Sequence, residues 1–546
     1  MAAAKPIAVT PAQRAKLERL EALLKAQQYQ AVIKEAQPLA LEIPGLPFIP
    51  NVTGIAWAQL GDQEKAVTCF KRGLTLNPDF PPGLVNLSTS LRLLGQIHPA
   101  LDAARRAVNL VPDDLQAQCN LASILYAAHK PDMALKTLSK VLKKNNKTAI
   151  AHDLVCEIHE GTNQLDELGR AVKSAASALG KSAPIIRYWA AVHAMRALDY
   201  QSAVDQFDTL TANDLPPVKR PKLFEFRGKC LDKLDRSADA FAAFEQANAA
   251  VLRSPAARAA ANVFLDDLQQ RTEDMEQATK PTWSSSTKGT SSPAPTFLVG
   301  FPRSGTTLLD TILRGHSQIS VVEEQPTVER VVDALPAGET LDDISTLSED
   351  TLEILKDIYF QELAAHQDPL ADSRVIIDKM PLNLIHAALI HRLFPQAKFI
   401  LALRHPMDCV LSCFMQSFQS NPPMDNFLKL DTTARLYDLS MRYWVSASSL
   451  LGIQSATVRY EDLVSDSATA TRPVFRHLGL EWEEDVLDHV ATARSRGKIA
   501  TPSRTQVTQP LYTSARGRWQ TYQSQLEPAA PLLAPWIKHW GYEDPA

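Results

Sequence analysis

Long apolar runs are missing from this chain. No segment of its 546 residues approaches the roughly eighteen consecutive apolar side chains that a bilayer-spanning helix requires. The first residues also have no apolar core of the kind that a secretory signal peptide carries. Both absences predict a chain without a membrane span, and we expect a cytoplasmic location.

Cysteine and excess charge are scarce as well. The net charge is −4, so no overall basic field would attract nucleic acid or anionic lipid, and no nucleic-acid partner is expected. No group of His, Asp and Glu has the spacing of metal ligands, so no metal is predicted. The cysteines lack C-x-x-C spacing, which favours reduced thiols over a disulfide framework or zinc site; they are Cys69, Cys119, Cys156, Cys230, Cys409 and Cys413.

The first half of the chain contains a repeat of 34 residues. Leu-Gly pairs, alanines and prolines return at this interval: Leu60-Gly61 and Leu94-Gly95, then Ala66, Ala100 and Ala134, then Pro78 and Pro112. Looser copies fall around residues 29–44, 199–207 and 235–244. This period, with small residues in mid-helix and a proline after the second helix, resembles tetratricopeptide repeats.

The resemblance implies an all-α helical-repeat solenoid over residues 1–270. Helix pairs stack because one pair cannot bury its apolar face alone, and the stack forms a concave surface. We expect this surface to bind a partner protein or the substrate; the alternative is a scaffold that serves homodimer formation or solubility. Residues 271–295 are rich in Ser, Thr and Pro and are predicted to form an exposed linker to a second domain, 296–546.

The start of the second domain has the pattern of a phosphate-binding loop. Phe297 to Val299 form a short apolar run typical of a buried parallel strand, and the loop Gly300–Gly305 and an amphipathic helix, 308–314, follow. Such a loop and helix N-terminus bind anions through converging N–H groups. The usual Lys-Ser/Thr is replaced by Thr306-Thr307, which argues against an ordinary ATPase, and Arg303 offers a forked donor to phosphate or sulfate.

Two later strands each end in a cation. The β-rich run 375–379 ends at Lys379, and the run 397–404 ends at Arg404, with Ser412 on the helix predicted after it. The motifs PRSGTT, DKMP and FILALRHPMDCVLS, in this order, resemble the sulfotransferases that use 3′-phosphoadenosine 5′-phosphosulfate (PAPS), in particular the tyrosylprotein sulfotransferases and similar bacterial enzymes. The resemblance implies a P-loop-like α/β domain with a mostly parallel sheet.

The resemblance also implies how the donor is held. The 5′-phosphosulfate would lie on the loop and the 3′-phosphate on Arg404 and Ser412, and the product would be adenosine 3′,5′-bisphosphate (PAP). Gln416 stands where the family has a second arginine in the 3′-phosphate site, and a basic run over 491–520 could supply the missing charge. The implied donor-binding residues are Arg303, Ser304, Gly305, Thr306, Thr307, Arg404, Ser412, Tyr460, Ser503, Gln506 and Arg518.

The resemblance assigns three catalytic roles. Arg303 and Lys379 would stabilise the charge on the sulfuryl group and on the leaving phosphate. Glu324 matches the family's general base; the alternative is that it only favours the dipole of a helix opening at Pro326. His316 is a rival base, although its place before a strand fits a turn or packing role better.

The acceptor stays open at this point. The resemblance implies a protein tyrosine, but Pro326 replaces an arginine of the tyrosylprotein enzymes, which leaves a carbohydrate, a lipid or a small phenol as further candidates. Two other functions compete with sulfuryl transfer. One is an ATP-dependent phosphotransferase, against which the missing loop lysine counts. The other is a repeat scaffold without catalysis.

Overall fold

The structure, a computed structural model, describes residues 9–251, 255–281, 294–366, 374–495 and 516–542. The chain divides into two compact units, Met1–Arg258 and Ala259–Ala546. Within the described ranges, no helix combines the length and the apolarity that crossing a bilayer needs. The predicted combination of helical repeats with a parallel α/β domain is confirmed.

The first unit consists of antiparallel helix pairs. Two short 3₁₀ turns, Ala212–Asp214 and Pro217–Lys219, interrupt the series. The α-helices are α1 Pro11–Lys25, α2 Tyr29–Glu42, α3 Phe48–Gln59, α4 Gln63–Leu76, α5 Pro81–Leu93, α6 Ile97–Leu110, α7 Leu115–Ala127, α8 Pro131–Lys144, α9 Ala149–Gly161, α10 Leu165–Leu179, α11 Pro184–Arg196, α12 Tyr200–Phe207, α13 Arg220–Lys233 and α14 Ser237–Ala249.

The small residues of the 34-residue period allow these helices to pack closely. Ala66, Ala100 and Ala134 lie on α4, α6 and α8, and all three are completely buried. Gly61 and Gly95 occupy the turns inside the pairs, with left-handed φ angles of 88° and 74°. The sequence period therefore reflects two structural requirements: a small side chain where helices touch, and a left-handed backbone conformation at the turn.

The second unit is built on a five-stranded sheet of order β2-β3-β1-β4-β5, in which every pairing is parallel. The strands are β1 Thr296–Gly300, β2 Ile319–Glu323, β3 Val375–Lys379, β4 Lys398–Leu403 and β5 Ser455–Arg459. The order reverses at β1, so the chain leaves β1 and β4 toward opposite sides, which opens a crevice at the carboxyl ends of the strands.

Helices cover both faces of this sheet, as parallel sheets require. They are α15 Pro255–Gln277, α16 Thr306–Leu313, α17 Thr327–Asp333, α18 Leu341–Ser345, α19 Glu349–Ala365, α20 Ala387–Leu393, α21 Pro406–Phe414, α22 Leu430–Leu451, α23 Tyr460–Ser465, α24 Ser467–Leu478, α25 His489–Ser495, α26 Gln523–Leu526 and α27 Ala530–His539. Short 3₁₀ helices include Pro381–His386 and Arg518–Tyr522. All residues of α16 are buried, so the helix predicted as amphipathic is instead enclosed on every side.

The division between the units falls at Arg258, before the predicted end of the repeats at residue 270. The reason is α15, which covers the start of the predicted linker and makes its ion pairs within the second unit. Arg435 lies 3.3 Å from Asp266, and Arg442 lies 2.6 Å from Glu276. Most of the remaining Ser-rich segment, residues 282–293, lies outside the described residues.

Candidate active site

The glycine-rich loop joins β1 to α16. A Cβ atom on Gly300 would lie 2.4 Å from the carbonyl oxygen of Ala402 on β4. Gly305 precedes α16 with a left-handed φ of 96°, and a Cβ atom there would lie 2.7 Å from a ring carbon of Tyr460. Both positions therefore require glycine. The first N–H groups of α16 point back toward this loop, an arrangement that binds anions.

Arg303 connects the loop with the elements that follow β4. Its backbone takes a left-handed φ of 69°, which is unusual for a residue with a side chain. Its Nε donates a hydrogen bond to Ser412 Oγ at 3.1 Å, and its carbonyl oxygen accepts one from Arg404 Nη1 at 3.3 Å. The parallel sheet thus brings together three predicted site residues that lie up to 109 positions apart in the sequence.

The Arg404 guanidinium is buried beneath an aromatic ring. It is 7% exposed and lies 5.0 Å from the ring centroid of Tyr460, and its Nη2 is 3.7 Å from Asp408. The stacking of a guanidinium on an aromatic face stabilises the cation where water is excluded. Tyr460 thereby contacts both the loop at Gly305 and the predicted 3′-phosphate residue.

Asp408 is a site residue that the sequence analysis missed. Its two carboxylate oxygens accept hydrogen bonds from the N–H groups of Gly517 and Trp519, each at 2.9 Å. Burial raises the pKa of Asp408, and Arg404 and these N–H groups oppose that rise. Because its two donors flank Arg518, Asp408 holds that arginine at the cavity. The one available signal was a carboxylate four residues after Arg404 in the same motif.

Lys379 makes a buried ion-pair cluster with both glutamates of the predicted base motif. Its Nζ lies 2.8 Å from Glu324 Oε1 and 3.1 Å from Glu323 Oε1, and its side chain is 0% exposed. The N–H of Glu324 donates to the carbonyl oxygen of Lys379 at 2.7 Å, and Glu324 has a left-handed φ of 48°. No side chain caps the N-terminus of α17, so the Glu324 carboxylate pairs with Lys379 instead of capping that helix.

Asp378, the neighbour of Lys379, points into the opposite side of the strand. It is completely buried, and its Oδ2 accepts hydrogen bonds from the Thr327 hydroxyl at 2.5 Å and the Tyr359 hydroxyl at 3.1 Å. Burial raises the pKa of Asp378 to about 6, although both hydrogen bonds lower it. No pattern in the sequence indicated this buried acid.

A cavity of about 480 Å³ lies at the carboxyl ends of the strands. Its volume is within the usual range for small-molecule sites. Lys379 does not line the cavity itself, but its ion-pair partner Glu324 does. Ser304 is buried in the loop, and its hydroxyl has no hydrogen-bond partner among the described residues. The predicted residues that line the cavity are Arg303, Gly305, Thr306, Thr307, Glu324, Arg404, Ser412, Tyr460 and Arg518.

Two further predicted residues and the rival base remain to be considered. Ser503 and Gln506 fall outside the described residues. His316 does not line the cavity: its Nε2 is 2.9 Å from the carbonyl oxygen of Glu481, its Nδ1 accepts from the N–H of Gln318, and its ring stacks on Phe475. Both ring nitrogens of His316 are therefore engaged in structural hydrogen bonds away from the cavity.

The remaining wall of the cavity was not foreseen from the sequence. It combines amide, imidazole and carboxylate groups with apolar side chains, and these include Gln325, Glu329, Asp333, Asn383, His386, Asn421, Phe264, Phe418 and Met424. Within the described part of the chain, no cluster of three or more His, Cys, Asp or Glu side chains could hold a metal ion.

Known proteins resemble both units. Residues 295–484 match the sulfotransferase family, and residues 58–80 match the tetratricopeptide repeat. An uncharacterized protein of Aquifex aeolicus is 28% identical over 278 residues, which are 47% of this chain and 34% of that protein. Protein-tyrosine sulfotransferase 2 of Gallus gallus is 25% identical, with 41% of this chain and 62% of that protein covered. Protein-tyrosine sulfotransferase 1 of Danio rerio is 23% identical, with 45% and 72% covered.

The match thus spans about a third of the A. aeolicus protein and under two thirds of the chicken protein. It falls on the unit that contains the parallel sheet and the cavity, while the repeat match falls on the helical unit. Residues 295–484 are therefore similar to the sulfotransferase family and to the protein-tyrosine sulfotransferases, and the first unit of the chain is similar to tetratricopeptide-repeat proteins.

Proposed function

We propose that the second unit transfers a sulfuryl group from PAPS to a hydroxyl group of an acceptor and releases PAP. One observation carries this proposal: a single cavity joins an anion-binding loop, three arginine side chains and the Glu324 carboxylate, which is paired with Lys379. The family match to residues 295–484 supports the same reaction class.

The donor would occupy the arginine-rich side of the cavity. Arg303 and the N-terminus of α16 would bind the 5′-phosphosulfate, and Arg404 with Ser412 would bind the 3′-phosphate. Tyr460 and Arg518 would contact the nucleotide, and Ser503 and Gln506 keep this role as predictions. An ATP-dependent phosphotransferase is disfavoured because Thr306 occupies the place of the loop lysine that contacts the transferred phosphate in such enzymes.

The ion pair between Lys379 and Glu324 would couple proton transfer to departure of the phosphate. The acceptor oxygen attacks sulfur as the bond from sulfur to the 5′-phosphate oxygen breaks, in an in-line displacement. The acceptor proton passes to Glu324. Once this carboxylate is neutral, Glu323 is the one ionised partner that Lys379 keeps in the cluster, so more of the ammonium charge acts on the leaving oxygen. Both roles thus depend on the 2.8 Å contact between the two side chains.

The acceptor is a hydroxyl compound, and protein tyrosine is one candidate because relatives are protein-tyrosine sulfotransferases. The tetratricopeptide unit would serve as a platform for a protein substrate or another protein partner, since repeat folds present extended concave surfaces. A cytoplasmic location and a homodimer stay predictions.

Thermal unfolding with and without PAP tests the donor site. A ligand that binds only the folded state stabilises it by about 2.7 kcal/mol at a hundredfold excess over Kd. We expect PAP to raise the unfolding temperature of the wild type, and ATP with Mg²⁺ to raise it less. In Arg404→Ala the PAP effect should disappear.

Arg392→Ala is the matched control for that experiment. Arg392 is as buried as Arg404, at 7% exposed, but does not line the cavity. Its variant should be destabilised and still respond to PAP. A larger shift with ATP would reject the PAPS proposal in favour of the phosphotransferase. A PAP response that survives in Arg404→Ala would contradict the assignment of Arg404 to the 3′-phosphate.

A further inference from the structure

Beyond the donor residues, a short 3₁₀ helix places two polar side chains on the cavity wall. This helix, Pro381–His386, follows directly after Lys379 and Met380. Asn383 and His386 both line the cavity. They are three residues apart, and in a 3₁₀ helix side chains at this spacing eclipse each other, so the two groups lie side by side.

Asn383 holds a hydrogen-bonding group that the described residues leave unsatisfied. The residue is 5% exposed, and its Nδ2 is buried with no hydrogen-bond partner among them. A buried polar group without a partner destabilises the folded protein, so such groups are rare in native structures. A ligand in the cavity would supply the missing acceptor atom.

His386 is held in one orientation by a buried ion pair. Its Nδ1 lies 2.6 Å from Glu339 Oε1, and Glu339 Oε2 lies 2.7 Å from Arg271 Nη1. The side chains of Arg271 and Glu339 are 4% and 8% exposed. Burial alone would raise the pKa of Glu339, but His386 and Arg271 hold it below its ordinary value.

The ionised Glu339 fixes which ring nitrogen of His386 carries hydrogen. A carboxylate only accepts hydrogen bonds, so Nδ1 is the donor to Glu339 and Nε2 is the ring nitrogen left for a ligand. No described residue hydrogen-bonds to Nε2. Asn383 and His386 thus offer two hydrogen-bonding groups next to each other. Two adjacent hydroxyls match this pair, because a hydroxyl both donates and accepts, so one can accept from the amide while the other bonds to the imidazole Nε2.

The surrounding wall favours a neutral molecule with several hydroxyls. Glu329 and Asp333 add carboxylates, and among the described cavity residues the lysine and arginine side chains are limited to Arg303, Arg404 and Arg518, which the proposed function assigns to the donor. An acidic acceptor would therefore meet repulsion on this side. Apolar groups such as Phe264 and Phe418 complete the wall and suit the carbon face of a ring.

We propose that Asn383 and His386 recognise a pair of adjacent hydroxyls on a neutral glycoside that serves as the acceptor. The proposal rests on the proposed function for its assignment of the donor side. It identifies two specificity-determining residues on the acceptor side, which are separate from the transfer machinery of Glu324 and Lys379.

Isothermal titration with phenyl β-D-glucoside tests this inference on the full chain, both with and without PAP. Two further probes separate the alternatives: 2-naphthol has one hydroxyl, and N-acetyl-tyrosinamide offers an amide. The variants are Asn383→Leu and His386→Ala. His391→Ala is the matched control, because His391 lies in the same segment on α20 but does not line the cavity.

We expect the glucoside to bind the wild type and His391→Ala equally, and each cavity variant at least tenfold more weakly, with PAP and 2-naphthol binding unchanged. Asn383→Leu should also raise the unfolding temperature of the unliganded protein, because it removes an unsatisfied polar group; a structural asparagine would lower it. Glucoside binding that is absent from the wild type or unchanged in the variants overturns the proposal. So does a loss confined to N-acetyl-tyrosinamide, which would indicate amide recognition.

Failure of PAP to bind the wild type would instead reject the proposed function. The glucoside titration of the unloaded protein decides the present inference in that case as well, since Asn383 and His386 are separate from the residues assigned to the donor. Loss of the PAP titration signal therefore rejects the proposed function, whereas loss of the glucoside signal rejects the role of Asn383 and His386.

Discussion

At the scale of single residues, Lys379 shows how a buried charge depends on its partners. Its ammonium is fully enclosed and is neutralised by Glu323 and Glu324. Removing one member of a buried ion-pair cluster leaves the others uncompensated, which typically costs about 3–5 kcal/mol. We expect Lys379→Met to lower the free energy of unfolding by about 3 kcal/mol, since Glu324 keeps partial contact with water, and to lower kcat at least 100-fold.

Lys356→Met is the control for this prediction. Lys356 is nearly as buried, but its partner Glu353 is 51% exposed and keeps its hydration when the lysine is removed. Urea unfolding of both variants should show a loss of at most about 1 kcal/mol for Lys356→Met. Equal losses in the two variants would contradict the importance of the buried cluster.

Asp378 should make the stability of the second unit depend on pH. Its folded pKa of about 6 lies above its ordinary value of 3.8, so the folded state holds the proton more tightly. Stability from this group is complete below pH 3.8 and is lost as pH rises through 6. Relative to wild type, Asp378→Asn should gain about 2.5 kcal/mol between pH 4 and pH 7, because a shift of one pKa unit corresponds to 1.36 kcal/mol and a small part of the effect is already present at pH 4. Urea unfolding at both pH values measures this difference in the free energy of unfolding between the variant and the wild type. A difference that is the same at both pH values would contradict the raised pKa of Asp378.

At the scale of elements, the loop between β1 and α16 depends on the backbone of Gly305. An alanine there would have to adopt a left-handed conformation and would push against Tyr460. We expect Gly305→Ala to weaken PAP binding at least tenfold, measured by titration calorimetry. Gly452→Ala is the control, because Gly452 also has a positive φ, but a Cβ atom there would meet no described atom within 4 Å. A similar loss of PAP affinity in both variants would show that backbone strain alone is responsible.

The turns of the helical repeats keep the same backbone conformation even where the sequence has no glycine to indicate it. The left-handed turn recurs every 34 residues at Gln27, Gly61, Gly95, His129 and Asn163. Glycine marks only two of these turns, so the sequence made the period evident only there. The other turns adopt the same backbone conformation because the packing of their helices requires it. The left-handed conformation of their non-glycine residues is locally unfavourable in free energy.

At the scale of the whole molecule, each compact unit has its own hydrophobic core. One cluster of buried residues includes Ala66, Phe70 and Ala100 in the first unit, and another includes Leu298 and Leu309 in the second. We expect two transitions in scanning calorimetry, with PAP shifting only that of the second unit, because a ligand stabilises only the unit that binds it. A single transition that moves as a whole with PAP would contradict this prediction.

Local sequence patterns were sufficient to predict the element types and the motifs that meet at the cavity. A 34-residue period, three strand-like runs and a glycine loop are set by side-chain size, β-propensity and backbone freedom, and they can be read without knowing the neighbours. Arg303, Arg404 and Ser412 follow from such patterns and from the family resemblance. Their convergence at one edge was also predictable, since parallel strands present their carboxyl ends together.

The contacts between these motifs depend instead on tertiary packing. Asp408 reaches across 109 residues to hold the segment around Arg518, and Arg271 reaches across 68 to orient Glu339. Asn383 and His386 become neighbours in the cavity because their segment forms a 3₁₀ helix, whereas an extended segment would separate them. Burial and long-range pairing arise from the packing of the whole chain. A local sequence pattern therefore does not indicate which polar residue will be buried away from water.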